Sequence, residues 1–109
     1  MLATSSEAGI PVLVPAAVLA ETLHGDNRDA RANQVLKKLQ VVPVDETLAR
    51  RAAELKRLAG MSGASATIDA IVVAVSGAVG GGIILTSDTG DIAALAACVP
   101  GMKIRAFSA

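Results

Sequence analysis

The chain has 109 residues, which is one domain by length, and its apolar share of 52% supplies a core in which Phe107 is the only aromatic residue. With no tryptophan and no tyrosine there is no platform for stacking bases, which argues against a single-strand binder of the stacking type. Ten basic residues cancel ten acidic ones, so contact with nucleic acid or an acidic membrane must come from a local patch and not from a global field.

In chain order, residues 1–7 carry no positive segment and no long apolar run, so they do not read as a signal peptide. A nearly continuous apolar run at 10–14 predicts a strand buried on both faces. Pro15 suits the first turn of a helix over 16–23. Asp26 or Asn27 can cap the next helix, where Ala32, Val35, Leu36 and Leu39 share one face. The run at 41–44 predicts a second strand, and Pro43 assigns it to a sheet edge.

Asp45 can cap a third helix with the stripe Leu48, Ala52, Leu55 and Ala59, and Gly60 suits its stop. Residues 60–65 are small and read as a loop. Thr67 can cap a fourth helix, which is apolar nearly all round from Ile68 to Val75. Residues 83–86 predict a third strand, 89–97 a helix with Ile92, Leu95 and Ala96 inward, and 103–107 a last strand at the other edge. The apolar stretch 70–85 is broken by Gly77, Gly80, Gly81 and Gly82 and falls short of the roughly 20 residues of a membrane span. Lone Cys98 cannot form an internal disulfide; it fits a reducing cytoplasm and reads as core.

Strands alternating with helices imply a parallel sheet with helices on both faces, and ligands of such sheets bind beyond the carboxyl ends of the strands. Four acids fall at that edge: Glu21 on the first helix, Asp69 in the first turn of the fourth, Asp88 after the apolar strand ending in Thr86, and Asp91 one turn on. Each has an ordinary structural alternative. Glu21, Asp69 and Asp91 can be acids favoured by a helix dipole, and Asp88 can be an N-cap. Together, like charges raise one another's pKa unless a cation joins them. Oxygen-only ligands select Mg²⁺ or Mn²⁺ over zinc, and such an ion activates water against a phosphate. Of the basic residues clustered in the middle of the chain, Arg28 and Arg31 are the candidates for nucleic-acid contact, because they follow soon after Glu21.

These residues resemble the PIN-domain family. The string from Pro11 through Val14 to Glu21 is similar to that family's second strand and acidic helix; Ile68-Asp69-Ala70 is similar to its second acidic motif, and Leu85-Thr86-Ser87-Asp88 with Asp91 to its third. Val41-Val42-Pro43-Val44-Asp45 is similar to its third strand and the following turn. The resemblance spans essentially the whole chain. It implies a cytoplasmic metal-dependent endoribonuclease, the toxin of a toxin–antitoxin pair. Glu21, Asp69 and Asp88 would hold Mg²⁺ or Mn²⁺, with Asp91 assisting catalysis. The implied partners are an RNA substrate, a cognate antitoxin and a second copy in a homodimer, with a helical hairpin around 22–39 as the contact.

The family also opens with a central strand ending in aspartate, and here residues 1–9 resemble the tail of a helix instead. An upstream in-frame segment of about 30 residues is therefore expected to supply that strand and its crossover helix. In this chain, the strands at 10–14 and 83–86 are expected to pair directly, leaving the metal site incomplete and cleavage impaired. Two other functions fit the same residues. One is an inactive PIN remnant that binds an antitoxin or a sister subunit; the other is a different metal-dependent phosphotransfer or phosphatase domain.

Overall fold

The most apolar helix of the chain is also its centre. The computed structural model describes residues 2–5, 10–86, 89–101 and 103–108, and within them α4 (Ala64–Ala78) buries every residue from Ala70 to Ser76. It packs against α3 (Glu46–Leu58), α5 (Thr89–Ala96) and the strands β2 (Ile10–Pro15) and β4 (Gly81–Thr86). Leu55 of α3, Val73 of α4, Ile84 of β4, and Ile92 and Leu95 of α5 are fully buried around it. A core of Ala, Val, Leu and Ile holds together through many small dispersion contacts, which need close approach and therefore small residues on the central helix.

Local signals in the sequence account for most element boundaries. Asp45 caps α3, its carboxylate accepting the Leu48 backbone N–H at 2.9 Å, and Gly60 leaves the helix at φ 68°. Asp26 caps a single 3-10 turn, Asn27–Asp29, that leads into α2 (Ala30–Leu36). Thr67 departs from expectation. α4 starts at Ala64 behind Gly63, so Thr67 lies inside the helix. Its hydroxyl donates back to the Gly63 carbonyl at 3.2 Å and accepts from Lys56 Nζ at 2.7 Å, which satisfies it without an N-cap role.

The five strands stand in the order β3-β2-β1-β4-β5, with β3 (Gln40–Val42) and β5 (Lys103–Ser108) at the edges, as Pro43 and the mixed pattern of the last strand predicted. The centre corrects two expectations. The strands at 10–14 and 83–86 do not pair directly: β1 (Leu2–Ser5) lies between them, with Ala3 opposite Leu13 on one side and Ile84 on the other. Residues 2–5 therefore form a strand and not a helix tail. The sheet is mixed and not wholly parallel, because β1 runs antiparallel to both neighbours.

Chain length explains the direction of β1. Two apolar strands flank a seat that offers backbone partners on both sides. Parallel entry would need a crossover of a dozen or more residues, and only residues 6–9 separate Ser5 from Ile10. The antiparallel pairing observed is the one that this length allows.

Candidate metal centre

Because β2 and β4 both oppose β1, and β3 and β5 run parallel to β2 and β4, the carboxyl ends of β2, β3, β4 and β5 share one edge. α1 (Ala16–Thr22) starts at that edge directly after Pro15, and α5 starts at Thr89, soon after β4 ends at Thr86. α4 reaches the same edge from the other direction. It turns through Val79 and Gly80 into β4 and so runs back along it. Asp69 lies nine residues before the end of α4, about 14 Å along the helix axis. The six residues of β4 extend about 17 Å. Asp69 is thus level with the carboxyl-terminal part of β4.

The longer α4 changes the reading of Asp69. No acid occupies the first turn of this helix; Asp69 lies in the second, half-buried between Ile68 and the fully buried Ala70. The stabilisation of an acid by a helix dipole fades beyond the first turn, so that alternative no longer accounts for Asp69. It still accounts for Asp91, which lies in the first turn of α5 and is half-buried beside the buried Ile92. Neither residue is without an interaction partner.

Glu21 belongs to the last turn of α1, three residues after the buried Val18, whose carbonyl accepts the Thr22 hydroxyl at 2.9 Å. Its side chain lies outside the described residues, as does Asp88, in the connection between Thr86 and Thr89. Among the described residues no three His, Cys, Asp or Glu side chains gather as a metal-binding group. The described carboxylates at this edge offer only oxygen donors, which fits a hard cation such as Mg²⁺ or Mn²⁺.

Past α1, the fold builds a feature that sequence reasoning passed over. Asp29 is 5% exposed and turns its carboxylate back on the chain. It accepts the backbone N–H of His24 at 2.8 Å and that of Gly25 at 2.7 Å. The His24 N–H bond holds the carboxyl below its ordinary pKa, against the upward push of burial, and the Gly25 N–H adds to the lowering. The available signal was Gly25, which needs φ 82° and so marks a tight turn beside an acid four residues on.

Arg28 and Arg31 are exposed, on the 3-10 turn and on α2. Arg28 is tied to Asp26, Nη2 to carboxylate at 2.9 Å. That bond, with the Arg28 backbone N–H, holds the Asp26 carboxyl below its ordinary range. Arg28 therefore presents a neutralised pair, whereas Arg31 belongs to no described salt bridge.

α2 buries none of its residues, and Val35 is 50% exposed. The stripe predicted on this helix lines an apolar groove of 280 Å³ with Val18 and Leu19 of α1. Among the described residues no helix is long and apolar enough to cross a membrane. Cys98 is half-buried against the core, its thiol 3.6 Å from the Ala94 carbonyl.

A family model described as PIN domain matches residues 3–97. No curated protein matches the chain, and no solved structure does.

Proposed function

The chain belongs to the PIN domain family, whose members are as a class metal-dependent nucleases, and on that premise we propose that it is a Mg²⁺- or Mn²⁺-dependent endoribonuclease acting as the toxin of a toxin–antitoxin pair in the cytoplasm. Glu21, Asp69 and Asp88 would hold the ion, and Asp91 would assist. The bound ion supplies a polarised phosphate and a water ready to attack it. The carboxylates of the chain would orient that ion and offset its charge.

The observation that carries this reading is the common edge. β2 and β4 end at one edge, where α1 and α5 start, and open α/β sheets keep their chemistry at such an edge. Asp69 adds support, since its half-buried place in a second turn has no dipole explanation. The test is cleavage of a fluorescent RNA with Mn²⁺. Activity should be lost with chelator and with Asp69→Asn or Asp88→Asn, whose folds are verified by circular dichroism. Cleavage unaffected by these substitutions would refute the assignment.

A second reading is favoured by β1. The strand in the centre of the sheet is Leu2-Ala3-Thr4-Ser5, which brings no carboxylate to the edge. On this reading the chain is an inactive PIN remnant that binds an antitoxin or a sister subunit. Its surface would be the apolar groove between α1 and α2, which leaves Val35 half exposed. No RNA cleavage in Mn²⁺ by a folded protein, together with a dimer broken by Val35→Glu, would favour this second reading.

A further inference from the structure

The two edges of the sheet are finished differently. β3 is only three residues long and runs into Pro43, which blunts it as a template. β5 has six residues, all in register with β4 from Gly81↔Lys103 to Thr86↔Ser108, and contains no proline. Its outer side is the end of the sheet. Along an edge strand every second residue turns its N–H and C=O away from the inner neighbour.

The faces of β5 carry opposite chemistry. Ile104 and Ala106 are half-buried and line a groove of 730 Å³ with α5, whose contribution includes the small residues Gly90, Ala93 and Ala96. Lys103 and Arg105 alternate with them and are exposed, so they occupy the other face. A strand added beside β5 would meet, on one face, a recess walled by small residues with Ile104 and Ala106 in its lining, and a pair of cations on the other.

We propose that β5 is a docking edge for an extended peptide segment in which small apolar residues alternate with acidic ones. The main chain would continue the sheet beyond β5, the apolar residues would enter the recess beside α5, and the acids would pair with Lys103 and Arg105. Charge selects this occupant over a second copy. If β5 paired antiparallel with itself and kept Ile104 and Ala106 on the groove side, Lys103 and Arg105 would face the same cations. The inference does not rest on the nuclease reading.

Fluorescence anisotropy on the full chain tests it with two labelled octapeptides, one alternating Val and Glu and one alternating Val and Lys. The Val–Glu peptide should bind about tenfold more tightly, because its acids pair with Lys103 and Arg105 where the lysines of the other peptide are repelled. The double variant Lys103→Glu/Arg105→Glu, at exposed positions, should exchange the preference. Ala93→Tyr should weaken both peptides by filling the recess. Equal binding of the two peptides, or a preference unchanged by the charge reversal, would overturn the proposal. So would a dimer of the unmodified chain that the charge reversal breaks, since the edge would then serve a second copy.

Discussion

Asp29 holds the backbone N–H of His24 at 2.8 Å from a carboxylate that is almost fully buried, and this bond closes the turn joining α1 to α2. The folded state lowers the Asp29 pKa beneath its ordinary 3.8. A carboxyl with a depressed folded pKa contributes stability that is fully present above its unfolded pKa and is lost as pH falls through the folded value. Asp29→Asn should therefore lower the melting temperature by several degrees at neutral pH. The gap to the unsubstituted chain should narrow below pH 3.8. Melts followed by circular dichroism from pH 7 down to acid read this directly, and a gap that stays constant would contradict it.

Ser76 makes the opposite prediction. It lies in the last turn of α4 at 3% exposure, and among the described residues its hydroxyl has no hydrogen-bond partner. A buried hydroxyl without a partner is costly, and alanine is the better helix former. Ser76→Ala should stabilise the chain by about 1 kcal/mol, measured as a rise in the denaturation midpoint at unchanged slope.

Gly81 opens β4 at φ 104°, and a Cβ there would stand 2.5 Å from the Lys103 carbonyl oxygen. Gly81→Ala should cost about 1–3 kcal/mol through backbone strain, with the clash against β5 in addition. Urea denaturation measures the loss. An unchanged midpoint would show that the first pair of the β4–β5 ladder, Gly81↔Lys103, is not held as the register has it.

If the acids at the sheet edge hold an ion, Mn²⁺ should raise the melting temperature by mass action, about 2.7 kcal/mol at a hundredfold excess over Kd. Asp88→Asn and Asp69→Asn should each remove most of that gain, because a neutralised cluster needs the cation less. A melt insensitive to millimolar Mn²⁺ would count against the metal assignment independently of any cleavage assay.

For RNA contact, the pairing of Arg28 with Asp26 separates two neighbours that sequence treats alike. Arg31→Ala should weaken RNA binding and reduce the salt slope by about 0.7, the share of one phosphate contact to a single strand. Arg28→Ala should do less, and Lys56→Ala, whose ammonium is held by Thr67 at 2.7 Å, should do little. Binding isotherms at several salt concentrations distinguish the three.

By itself the sequence determined what depends on near neighbours along the chain. The Asp45 cap, the stop at Gly60, the all-round burial of α4 and the edge placement of the strands beside Pro43 and at Lys103 follow from periodicity, capping and the missing proline donor, all of which act within a few residues. The shared edge at the carboxyl ends of β2, β3, β4 and β5 was legible for the same reason, since strand–helix order sets strand direction. Tertiary structure alone decided the rest. β1 takes the central seat because two distant strands leave backbone groups to be paired and a short connection permits only an antiparallel entry. Thr67 lost its capping role because Lys56, eleven residues away, supplies a partner. Asp29 turned inward because Gly25 bends the chain so that two N–H groups converge on one carboxylate. For β1 and Thr67 the deciding partner lies outside the window in which local propensity acts and becomes a partner only once the chain has packed, whereas the Asp29 turn is local and its signal was Gly25.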